Sequence, residues 1–122
     1  MKIFNNINIP ANYKASSLAI GNFDGAHKGH QKVFRETRQF AKKKKVKFGV
    51  LTFTPLPVMF FYKNIKNFRL ATEEEKIKLF KKYQVDFVIN IKFNKKFSKI
   101  DAKDFIKKII YKKMNPQLLS VS

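Results

Sequence analysis

Apolar positions along the chain fall into short blocks whose spacing alternates between a strand-like and a helix-like period. SSLAIGNF, Ser16 to Phe23, is a compact apolar run closing on glycine and asparagine, and it predicts a strand. Val33, Phe34, Thr37, Phe40 and Ala41 then recur at helical spacing and predict a helix from about His30 to Lys43. KVKFGVLTF, Lys45 to Phe53, is a second buried strand, stopped by Pro55 and Pro57. A proline-bounded loop follows. Thr72 with Glu75 makes a capping-box pattern, so TEEEKIKLFKKY predicts a helix with acidic residues at its positive end. Val85, Phe87, Ile89 and Ile91 alternate as a third strand. Asp101 is a candidate N-cap, and Ala102, Phe105, Ile106, Ile109 and Ile110 form the apolar stripe of a last helix. In the tail MNPQLLSVS, Pro116 is followed by a few strand-like residues.

Strand and helix in strict alternation predict an α/β fold, a Rossmann-like parallel sheet with helical crossovers. In such sheets ligands bind at the carboxyl ends of the strands, near the point where strand order reverses. The loop after the first strand lies at that end. A chain of 122 residues with 44% hydrophobic content predicts one domain, spanning residues 1–122. The chain lacks cysteine, which excludes disulfide staples and thiolate metal sites and suits the cytoplasm. MKIFNNINIP reaches Pro10 without an apolar run long enough for a signal peptide, and the longer apolar runs elsewhere are strand-sized, so the expectation is a soluble protein with no membrane partner. A formal net charge of +19 raises nucleic acid as a partner, but lysine, asparagine, phenylalanine and isoleucine are enriched together, as codon bias in an AT-rich genome produces. The run KKKKVK, Lys42 to Lys47, is accordingly read as the solvated end of a helix, where cations oppose the helix dipole.

Chemistry concentrates in IGNFDGAHKGH, Ile20 to His30, which holds three of the four glycines and both histidines. Glycines between a strand and a helix let backbone N–H groups approach a phosphate, and the helix N-terminus adds partial positive charge. His27 and His30 stand one turn apart with Gly29 between them, so two imidazoles can face one phosphate chain. A zinc site would need further ligands from a chain with no other histidine and no cysteine, so no metal is assigned to protein ligands. The spacing Gly21, Gly25, Gly29 does not match the dinucleotide fingerprint.

His27-Lys28-Gly29-His30 resembles the H-x-G-H signature of the nucleotidyltransferase superfamily. The longer AIGNFDGAHKGHQKVF resembles the bacterial FAD synthetases, the FMN adenylyltransferase module of bifunctional riboflavin kinase/FAD synthetases. TFTPLPVMFF, RLATEEEKIKLFKKYQVDFVI and FSKIDAKDFIKKI agree with that family in order and spacing. The resemblance implies a nucleotidyltransferase fold and the transfer of AMP from ATP to FMN, giving FAD and pyrophosphate, with Mg²⁺ carried chiefly on the nucleotide phosphates. It implies that His27 and His30 hold the triphosphate and stabilise the pentacoordinate phosphorus, with Gly21, Asn22, Phe23, Asp24, Gly25 and Gly29 shaping the ATP pocket. Asp24 has a second reading as a cap of the loop. Phe53, Pro55, Pro57 and Phe61 are flavin contacts by resemblance and ordinary core by composition. Arg69 either meets a phosphate or lies exposed in its loop.

The chain departs from the family in two ways. Leu56 stands where the family usually has histidine between its prolines. The family's later G-x-D-F-x-F-G and I-S-S-T-x-x-R segments and its riboflavin kinase domain do not occur in these 122 residues. PQLLSVS is therefore expected to supply at most the start of a fourth strand, leaving the first strand an unpaired edge and the fold incomplete at its C-terminus. The alternatives are a cytidylyltransferase of the same superfamily, a noncatalytic product of a truncated gene that binds nucleotide, and a basic nucleic-acid-binding module.

Overall fold

The fold is taken from a computed structural model, which describes residues 1–21, 23, 28–54, 73–92 and 105–121. Five strands form one parallel sheet: β1 (Lys2–Phe4), β2 (Ser17–Ile20), β3 (Phe48–Thr54), β4 (Phe87–Lys92) and β5 (Leu118–Val121). Their order is β1-β4-β3-β2-β5, all neighbours parallel. The helices are α1 (Lys28–Lys44), α2 (Glu73–Lys82) and a π-helical turn over Phe105–Ile110 that continues as α3 (Tyr111–Lys113).

Period-two alternation sorts the strand residues between two cores. Ala19, Val50 and Val88 share one face with Phe34 and Ala41 of α1 and Phe80 of α2. Leu18, Ile20, Leu51, Phe87 and Ile89 share the other with Ile9, Ile110 and Met114. Burial on both faces explains why β2 and β3 read as continuous apolar runs rather than as alternating strands. Gly49 sits opposite Phe87 in the β3–β4 register, and a Cβ at Gly49 would lie 2.2 Å from the Phe87 ring. That ring also packs edge-on to Phe4 and Tyr13. Ser17 Oγ donates to Thr37 O at 2.8 Å and ties β2 to the buried face of α1.

The expected α/β architecture is observed, with two corrections. β2 is not an unpaired edge. Gln117 N–H donates to Ser16 O at 2.8 Å, and Leu118–Val121 then pair with every residue of Ser17–Ile20, since four residues suffice to cover a four-residue strand. The second correction is β1, which pairs with β4 at the far edge although asparagines interrupt its apolar pattern. Bounds differ modestly: α1 begins at Lys28, and the strands expected from Lys45 and Val85 begin at Phe48 and Phe87. The capping box at Thr72 and the N-cap at Asp101 lie outside the described residues.

Candidate functional site

Strand order places β2 between β3, the next strand in sequence, and β5, the last. Chain direction across the sheet therefore reverses at β2, and the carboxyl end of β2 is the position where open parallel sheets bind ligands. Gly21 N–H extends the ladder by donating to Leu51 O at 3.2 Å, and after Ile20 the chain crosses to the N-terminus of α1 at Lys28. The glycine- and histidine-rich segment thus joins the switch strand to a helix whose N-terminus carries partial positive charge.

Phe23 anchors this connection. It is fully buried and has a φ of 50°, left-handed backbone that costs a non-glycine residue roughly 1–2 kcal/mol. Packing holds it there: its ring lies 4.8 Å from Phe34 and 5.9 Å from Phe80, so one side chain pins the loop to α1 and α2. His30, half-buried in the first turn of α1, meets the Phe23 ring edge-on with centroids 5.3 Å apart. The strained residue thus lies directly against the histidine ring. The Phe23 ring is buried within this cluster.

Gly21, Phe23, Gly29, His30 and Phe53 are within the described residues, and Asn22, Asp24, Gly25, His27, Pro55, Pro57, Phe61 and Arg69 lie outside them, as does Leu56. Phe53 is half-buried near the end of β3, on the face away from α1, packed against the Leu51 and Phe87 core. Sequence reasoning missed Lys76 of α2, which is 2% exposed and whose Nζ donates to Phe53 O at 3.3 Å. Its signal is position, since it stands four residues before buried Phe80 on the core stripe of α2. Among the described residues no group of three or more His, Cys, Asp or Glu side chains is placed to hold a metal ion.

A cavity of about 740 Å³ lies at the opposite, amino end of the sheet, lined by residues including Tyr13, Lys14, Lys45, Lys47, Asp86 and Gln117. Its carboxylate is engaged, since Asp86 Oδ2 accepts the Phe48 N–H at 2.8 Å, and Lys47 Nζ lies 5.4 Å from the Tyr13 ring centre. It is remote from the histidine loop. The expected lysine run is exposed over Lys42–Lys45, where α1 ends.

The five-stranded parallel sheet with helices is an α/β fold consistent with a nucleotidyltransferase domain. A sequence profile of the FAD synthetase family matches residues 9–121, and the chain belongs to that family. It is 38% identical over 122 residues to the bifunctional riboflavin kinase/FMN adenylyltransferase of Buchnera aphidicola subsp. Acyrthosiphon pisum (strain APS), covering 99% of this chain and 39% of the relative. It is 30% identical over 104 residues to the Escherichia coli (strain K12) protein of the same name, covering 85% of this chain and 33% of the relative. The chain thus spans well under half the length of these relatives. A crystal structure described as a macrolide-efflux protein from Streptococcus pneumoniae superposes over 99% of this chain and 41% of its own with a TM-score of 0.71, and at 23% identity that likeness speaks to fold alone. No helix among the described residues is long and apolar enough to cross a membrane.

Proposed function

We propose that the chain carries out FMN adenylyl transfer, ATP plus FMN giving FAD and pyrophosphate. The observation that carries the reading is His30, set in the first turn of α1 and gripped by Phe23, at the carboxyl end of the switch strand. An oxygen of the FMN phosphate attacks the α-phosphorus of ATP. The new P–O bond forms as the bond to the bridging α,β oxygen breaks, and pyrophosphate leaves with the electron pair. No protein nucleophile is required. The chain contributes positioning and hydrogen-bond donors where negative charge builds, which is how phosphoryl-type transfers are accelerated.

In this reading His27 and His30 donate to the triphosphate, while Gly21, Asn22, Asp24, Gly25 and Gly29 shape the nucleotide pocket and Phe23 braces it. Phe53, Pro55, Pro57 and Phe61 contact the flavin, Arg69 meets a phosphate, and Mg²⁺ arrives on the phosphates of ATP as part of the substrate. The cytoplasm, where both substrates occur, suits the cysteine-free composition. Incubating the chain with ATP, Mg²⁺ and FMN and separating the flavins by chromatography tests the proposal. FAD should form with ATP and not with CTP. A folded chain that binds ATP yet forms no FAD would reduce the reading to nucleotide binding.

A further inference from the structure

Lys76 occupies a position that belongs to the core. It is 2% exposed, whereas the exposed lysines Lys78, Lys81 and Lys82 on the same helix face solvent. Taking an ammonium out of water is costly, and here its Nζ reaches 3.3 Å from Phe53 O, at the carboxyl end of β3. The neighbourhood is polar as well. Thr52 pairs with Asn90 across β3 and β4, and both share the strand parity of Val50 and Val88, the face covered by α1 and α2. Thr52 is buried and Asn90 half-buried, so this face, apolar at Val50 and Val88, turns polar at the carboxyl end of β3 and β4.

We infer that Lys76 is a positioning residue for the flavin substrate: by holding Phe53 O it fixes the end of β3 from which the Phe53 ring is presented. The inference rests on the proposed assignment of Phe53 to the flavin. A residue that only braced α2 against the sheet would affect both substrates alike. Lys76 acts through β3, one strand away from the loop after β2, so its loss falls on FMN and spares ATP.

The test is Lys76→Met and Lys76→Arg in the full chain, with KM measured for each substrate and hydrogen exchange followed in the peptide covering β3. Lys76→Met should raise KM for FMN at least tenfold and leave KM for ATP within twofold. Lys76→Arg, which keeps a charged donor, should return KM for FMN to within about threefold of the unvaried chain. Exchange at the carboxyl end of β3 should quicken at least tenfold in Lys76→Met with β2 unchanged. Equal rises in both KM values, no rescue by arginine, or unchanged exchange would overturn the inference. If the methionine variant does not fold, Lys76→Gln takes its place with the same expectations. If the unvaried chain makes no FAD, it is the functional reading that fails, and the exchange of β3, which needs no substrate, decides alone whether the tie holds this strand end.

Discussion

The two ends of the sheet solve the same problem, turning the chain between strand and helix, with opposite materials. Three of the four glycines fall between Gly21 and Gly29, in the segment of sequence that follows β2 at the carboxyl end. At the amino end, the turns that enter β2, β3, β4 and β5 contain Ala15, Lys45, Gln84 and Asn115 with φ values of 54°, 57°, 60° and 46°. Lys45 and Gln84 close Schellman motifs: Val46 N–H donates to Ala41 O at 3.0 Å and Val85 N–H to Phe80 O at 3.1 Å. Asn115 closes α3 by donating its N–H to Tyr111 O at 3.1 Å. Glycine is the usual residue at such caps because it lacks the Cβ that strains left-handed backbone. The amino end accepts that strain in four turns, while the glycines cluster in the segment between β2 and α1. Phe23 is the one described left-handed non-glycine residue at the carboxyl end, and its ring meets that of His30.

The sharpest break of this contrast is Phe23→Ala. Truncating a fully buried aromatic costs about 3–5 kcal/mol, and the urea midpoint should fall accordingly, with FAD formation lost alongside it. His30→Ala separates the two functions of the carboxyl end. FAD formation should drop by about 10²–10³-fold, the usual cost of one donor to developing charge, while stability changes by less than about 1 kcal/mol. Gly49→Ala probes the glycine that serves neither end. Its Cβ would meet the Phe87 ring at 2.2 Å, and overpacking of this kind costs about 1–3 kcal/mol, read as a lower melting temperature with no change in KM. The smallest effect has the opposite sign. Lys45→Gly and Gln84→Gly should each stabilise by about 0.5–1 kcal/mol, because relief of left-handed strain exceeds the entropy that glycine adds to the unfolded chain. Destabilisation in either would show that the amino end is not strained.

These contrasts also mark what was legible in the sequence. α1 and the strands β2, β3 and β4 are readable because their apolar residues repeat at a fixed period and are buried in the expected faces: Phe34, Thr37 and Ala41 of α1 are all buried. β1 escapes because a three-residue strand followed by asparagines carries too little periodicity, whereas the strand-like tail that becomes β5 was legible and its pairing with β2 was not. The π-helical turn over Phe105–Ile110 is hidden because Phe105, Ile106, Ile109 and Ile110 fit an α-helical stripe equally well. The left-handed caps are invisible because no glycine marks them. Gly21 and His30 were legible by composition, and so was their place at a strand-to-helix loop. The roles of Phe23 and Lys76 were not, since one depends on backbone strain held by packing and the other on a bond from α2 to β3.

Transfer of labelled phosphorus tests the central claim most directly. With ATP labelled at the α-phosphorus, FMN and Mg²⁺, the account predicts that label enters FAD, and that label placed at the γ-phosphorus appears only in pyrophosphate. Label from the γ-phosphorus in a flavin product, or no labelled flavin from a folded chain that binds both substrates, would contradict it.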